Sequence, residues 1–318
     1  MIGLRSRMPP QGASPVRTLD PLARDGVPFA AVFTGFVMLH VGAWTMLPML
    51  FTASLPVDTI EGVIWGQGWQ LSYPQPPLQA WLLGGIDWLT GYQRWAVYLV
   101  GQLLVAIAFW AVWRLARSIV SPLGALVSVL ILEGVPFFNL MTPNLFPDLV
   151  ELPFWALATG AFYHALRFGR LRQWALLGLW LAAAAYAKYV GAVLAAVMIG
   201  FLLVEPHARR SWRTPGPYLS AGSCLALLAP HLWWVSRHGF PTFHRIGYSA
   251  VPTDGVVERL AALARFAAGE LGVVALAGLL IVALRGIRRG EKHVAVREAF
   301  SAELVIRAST LGHAEVLA

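Results

Sequence analysis

Asp58 and Glu61 stand three residues apart at the head of DTIEGVIWGQGWQLSYPQPPLQAWLLGG, which runs from Asp58 to Gly85 between apolar stretches. That spacing suits two kinds of chemistry. Asp-x-x-Glu is a capping box, in which Asp58 accepts from first-turn N–H groups and Glu61 reaches back. A carboxylate in the same place is also a candidate general base, taking a proton from an attacking hydroxyl, a role that needs one oxygen left free. The stretch YPQPPLQAWL (Tyr73 to Leu82) follows. Pro76 and Pro77 fix φ and remove two donors, so the chain makes a stiff elbow. The elbow either folds the loop back or holds Gln75 toward a ligand.

Three further segments offer charged groups. In MTPNLFPDLVELPFW (Met141 to Trp155), Asp148 starts an expected helix and Glu151 lies one turn on, so both fall on one side. Acids also favour helix N-termini for dipole reasons alone. Lys188 is one of two lysines against 22 arginines and sits inside an apolar run. A charge there costs at least ~2.5 kcal/mol on insertion scales. It either snorkels to the interface or pairs its ammonium with a phosphate or with Asp58. In PHLWWVSRHGFPTFHRIGY (Pro230 to Tyr248), Arg237, His238, His244 and Arg245 lie among aromatics. They make an interfacial belt or hold a lipid phosphate. His238 and His244 have no metal-ligand spacing, and the single Cys224 excludes a disulfide framework within one chain. No phosphate-binding glycine motif is present. Glu133 and Glu270 fall in or near apolar runs and require buried partners that the sequence does not name.

These groups need a membrane scaffold. Of 318 residues, 58% are hydrophobic and 13% charged, against about 25% charged in soluble domains. Expected spans are Phe29–Leu50, Trp95–Ala116, Leu123–Leu140, Leu149–Leu166, Trp174–Tyr186, Tyr189–Val204, Tyr218–Val235 and Leu263–Leu284. Trp174 to Val204 would be about 46 Å long as one helix, too long for a ~30 Å core. Arginine-rich segments at both its ends require an even number of crossings, so two short helices are expected to turn near Lys188. Eight spans then leave most arginines on the cytoplasmic side. Asp58, Glu61, Asp87, Asp148, Glu151, Asp254 and Glu258 fall on the outer side. The net charge of +8 reads as this loop asymmetry, not as a nucleic-acid surface. The expected organisation is a disordered cytoplasmic lead (1–27), an all-α transmembrane domain (28–285) and a cytoplasmic tail (286–318).

Taken in order, four segments resemble GT-C-fold membrane glycosyltransferases of the protein O-mannosyltransferase and lipid A aminoarabinose transferase type. They are Asp58 with the elbow Gln75-Pro76-Pro77-Leu78, PDLVELPFWAL (Pro147 to Leu157), AYAKYVG (Ala185 to Gly191) and HLWWVSRHGFPTF (His231 to Phe243). The resemblance implies a periplasmic first loop with juxtamembrane helices and an inner-membrane enzyme. Its donor would be a polyprenyl-phosphate-linked sugar and its acceptor a hydroxyl of the cell envelope. It makes Asp58 the base of an inverting displacement. Glu61, Gln75, Asp148, Lys188, Arg237 and His238 are the substrate-binding candidates. Where the aminoarabinose transferases place a metal-binding Glu this chain has Pro74, so no metal is carried over. Relatives continue further after this core, so the resemblance also implies a truncated chain or one that depends on a partner subunit. The rival readings are a non-catalytic subunit of the same fold and a lipid or small-solute transporter.

Overall fold

Apolar runs punctuated by Pro and Gly fold here into helices, and no strand occurs among the described residues. The computed structural model describes residues 28–73 and 75–239, with 258, 260, 261 and 264. The chain divides into two units, Met1–Tyr248 and Ser249–Ala318, and nearly all described residues belong to the first. The 1–27 lead, the span Leu263–Leu284 (residue 264 apart) with its Glu270, His244, Arg245 and the 286–318 tail lie outside the described residues.

The helices are α1 (Phe29–Phe51), α2 (Val57–Gly66), α3 (Leu78–Thr90), α4 (Arg94–Ala116), α5 (Pro122–Glu133), α6 (Pro147–Phe168), α7 (Leu171–Ala187), α8 (Gly191–Val204), α9 (Pro206–Arg209) and α10 (Gly216–Arg237). α4 is the central post, with Tyr98, Val105 and Phe109 fully enclosed. It packs against α1, α5 and α6. Phe33 of α1 stacks on Trp113 of α4 with ring centroids 4.4 Å apart. α7 lies between α6 and α10.

Three helices are long and apolar enough to cross a membrane: α1, α4 and α10. A fourth crossing arises if α8 and the following segment Pro206–Arg213, bent by 93°, act as one broken span. Large apolar side chains such as Met38, Leu39 and Leu50 on α1 and Val193 and Val197 on α8 are exposed, as suits lipid-facing surface. The described residues thus make a multi-pass membrane protein. Of the eight expected spans, the described residues therefore support three or four by length and composition, and one is overturned outright. The run Leu123–Leu140 is not one helix: α5 stops at Glu133, and a short 3-10 turn follows at Pro136–Phe138. Pro136 forces the residue before it out of the helical region, and Val135 is extended. α5 is about 18 Å long, short of a ~30 Å core.

The break expected near Lys188 is present. α7 ends at Ala187, Lys188 is extended, and α8 starts at Gly191. A Cβ on Gly191 would lie 2.8 Å from the Ala184 carbonyl carbon, so this tight turn requires glycine.

α2 and α3 pack backbone to backbone. Gly62 and Gly66 are spaced four apart on α2, the small-residue pattern that lets helices approach closely. A Cβ on Gly66 would lie 2.4 Å from Ala80 O, and one on Gly84 would lie 2.5 Å from Gly66 O. Gly66→Ala is therefore expected to force the pair apart and cost about 1–3 kcal/mol, read as a lower melting temperature in detergent. Gly42→Ala on α1, where an added Cβ meets nothing within 4 Å, is the control and should melt no lower than the wild type. Equal melting of the two variants would refute the close-packing account. The opposite face of α2 presents Val57, Ile60 and Ile64 to the surroundings, which suits a helix lying at the membrane surface.

Candidate active site

The α2–α3 pair and the ends of α6 and α7 enclose a cavity of about 310 Å³. Its wall includes Asp58 and Glu61 from α2, Gln75 from the elbow, Asp148 from the first turn of α6 and Lys188 from the α7–α8 break. Five candidates from four separate stretches of sequence thus meet in one place. Arg237 and His238 do not line it. His238 turns back onto its own helix, stacked 3.9 Å from the Trp234 ring and with Nδ1 2.8 Å from Trp234 O.

Asp58 is not a helix cap, and the capping-box reading is corrected. Pro56 occupies the N-cap, and α2 has no side-chain cap bond. Prolines suit helix starts, and Pro56 moves Asp58 into the first turn. Its carboxylate instead accepts across the fold: Asn144 Nδ2 donates to Asp58 Oδ2 at 3.0 Å. Asn144 is itself clamped, because the fully buried Thr59 donates its hydroxyl to Asn144 Oδ1 at 2.9 Å and accepts from Leu145 N at 3.0 Å. One oxygen of Asp58 is tethered, while the side chain stays exposed at the cavity wall.

Gln79 ties the elbow to both loops. It donates to Leu145 O at 2.7 Å and to Asp58 O at 3.2 Å, and accepts from the Tyr73 hydroxyl at 3.0 Å. The enclosed Ser72 donates to the carbonyls of Tyr73 and Gln75, which holds the Pro-Pro turn. From α10, the buried His231 reaches the same region. Its Nδ1 lies 2.8 Å from Leu71 O and its Nε2 3.2 Å from the Tyr189 hydroxyl. A carbonyl can only accept, so Nδ1 carries the hydrogen and Nε2 accepts from Tyr189.

Lys188 Nζ lies 2.5 Å from Asp148 Oδ1, with both side chains about one-third exposed. Lys188 therefore pairs with Asp148, a partner not among the alternatives that the sequence left open. An ammonium has three donors, so one contact to Asp148 leaves two for a bound anion. Glu151, one turn past Asp148, is buried at 6% exposure away from the cavity wall. Among the described residues no group of three or more His, Cys, Asp or Glu side chains is placed to hold a metal ion.

Asn144, Gln79, Thr59 and His231 are the site residues that sequence reasoning missed. Each is a polar residue beside an apolar helix start or inside an apolar run, and that was the available signal. Asn144→Ala is expected to lower turnover by about tenfold with little change in KM, as for a group that only orients another. Equal losses in kcat and in substrate affinity would instead make it a contact to the substrate.

The described residues 75–234, Asp148 and Lys188 among them, fall within a match to a protein-family profile. It covers residues 74–234, half of the chain, and the family is described as dolichyl-phosphate-mannose-protein mannosyltransferase. No curated protein and no solved structure matches the chain.

Proposed function

We infer, since this chain belongs to the dolichyl-phosphate-mannose-protein mannosyltransferase family, that it moves a sugar from a polyprenyl-phosphate carrier to a hydroxyl acceptor in the Asp58 cavity. The family is one of glycosyltransferases, and a GT-C-type catalytic core is part of the reading. The observation that carries it is the shared cavity: Asp58 and Lys188, 130 positions apart, line the same wall.

The acceptor hydroxyl oxygen forms a bond to the anomeric carbon as the bond from that carbon to the phosphate oxygen breaks, with inversion. Asp58 takes the hydroxyl proton, with Asn144 holding its other oxygen so that the carboxylate does not rotate away. The lipid phosphate departs with the bonding electron pair. It needs no proton, only fixed positive charge, and Lys188 supplies it. Gln75 and Glu61 line the space where the sugar hydroxyls sit. In this reading the cavity faces the periplasm of a bacterial inner membrane. The outer carboxylates and the inner arginines support that orientation.

The test is transfer by the full chain in membranes given radiolabelled polyprenyl-phosphate mannose and, separately, its glucose and aminoarabinose counterparts. Label moving from the lipid fraction into polar or protein product is the expected result. Binding of all donors without release of lipid phosphate would favour the non-catalytic reading.

A further inference from the structure

A second cavity, of about 380 Å³, lies between α4, α6 and α7 at the far end of α6 and α7 from Asp58. Asp148 and His164 mark the two cavities on α6, about 24 Å apart along the helix, which approaches the thickness of a bilayer core. The two linings differ in charge. The first holds Asp58, Glu61 and Asp148 against Lys188. The second holds Arg114, Arg170 and Arg172 with no acid.

Among the described residues none of these three arginines meets a carboxylate. Arg114 rests over the Trp110 ring at 5.2 Å and Arg170 over Phe168 at 5.6 Å. The neighbouring Arg167 also rests over Phe168, but it is tied down by hydrogen bonds to Ser118 O and to the Tyr163 hydroxyl and does not line the cavity. The remaining wall is mostly apolar, including Leu157, Leu176 and Trp180, with His164 and Gln173 as its polar members. Gly160 opens it further, since an added Cβ there meets nothing within 4 Å. Guanidinium groups beside a greasy wall suit a molecule with an anionic head and a hydrocarbon body. A soluble anion would use the arginines and gain nothing from the wall.

We propose that this cavity is a binding site for the phosphodiester headgroup of an anionic phospholipid, on the side of the membrane opposite Asp58. Basic pockets between membrane helices bind such headgroups, and Arg pairs well with phosphate oxygens. The site does not depend on the chemistry at Asp58, and Asp58→Asn should leave it intact.

Native mass spectrometry of the full chain tests it, using phosphatidylglycerol and phosphatidylcholine of equal chain length and an arm with excess inorganic phosphate. The wild type is expected to retain phosphatidylglycerol over phosphatidylcholine by at least about tenfold. Each arginine near a membrane surface contributes about fivefold, or ~1 kcal/mol. Arg170→Gln with Arg172→Gln should therefore lose more than tenfold of that retention, whereas Arg213→Gln, at the end of the 3-10 turn Arg210–Arg213 and outside the cavity lining, should lose none. Gly160→Leu fills the apolar wall with every charge kept. It should also displace the lipid, and it decides the matter if the arginine variant does not fold. Three results would overturn the proposal: equal retention of the two lipids by the wild type, wild-type retention in Gly160→Leu, or a loss in Arg213→Gln equal to that in the double variant. Release of phosphatidylglycerol by inorganic phosphate would overturn it too, by assigning the cavity to a soluble anion.

Discussion

Asp58→Asn is expected to abolish sugar transfer while the protein folds and melts much as the wild type does. The two halves of that result have separate causes. The fold should tolerate the change because Asp58 caps nothing: Pro56 is the N-cap of α2. The new amide keeps a carbonyl oxygen for Asn144 Nδ2, which now donates to Oδ2 at 3.0 Å. What is lost is the interaction of a first-turn acid with the helix dipole, about 0.3–1 kcal/mol. Transfer should fall by about 10²–10⁴-fold, because an amide cannot take the acceptor's proton. Turnover of a labelled polyprenyl-phosphate sugar, beside a thermal melt in the same detergent, measures both. Transfer within threefold of the wild type would remove Asp58 as the base.

Lys188→Ala carries the second large effect. The ammonium is the cation in the cavity wall, set against three carboxylates. Removing it leaves the departing phosphate without a counter-charge, and loss of one such group in a closed site costs about 10²–10³-fold in turnover. Stability should change far less. The pair with Asp148 is about one-third exposed on each side, and pairs of that kind contribute about 0–1 kcal/mol. Donor affinity measured by equilibrium binding of the lipid-linked sugar should weaken as well, and Lys188→Arg should recover part of it. If Lys188→Ala melts several degrees lower and binds donor as tightly as the wild type, Lys188 is a strut for Asp148 and not a phosphate ligand.

Much of the scaffold was legible because hydrophobicity and charge are local properties. Apolar runs located α1, α4, α6, α7, α8 and α10, and arginine-rich segments on both sides of Trp174–Val204 required the break that the chain makes at Lys188. The overreach at Leu123–Leu140 shows the limit. Composition there is apolar throughout, but Pro136 ends the helix geometry before the composition changes. His238 lies away from the cavity for a related reason. It lies seven residues beyond His231, on nearly the same face of the helix and about 10 Å further along. Depth, which composition does not encode, brings His231 to the elbow.

The buried partners were illegible for a different reason. Glu133 required a partner in the apolar interior. The fold supplies His40, with Nδ1 2.8 Å from Glu133 Oε2, and His40 Nε2 in turn meets Gln102 at 3.1 Å. Those three residues come from α5, α1 and α4, and no spacing connects them. Asn144 and Asp58 are 86 positions apart, and the backbone contact of Gly66 with Gly84 depends on which face each helix turns inward. The amino-acid sequence by itself determined the membrane class, the order of the helices and the residue types available for transfer chemistry, because each follows from a short stretch read alone. Only the tertiary structure decided that Asp58 is tethered by Asn144 and that Lys188 pairs with Asp148. Both depend on where distant segments meet, and a hydrogen bond requires its partners to lie within about 3 Å.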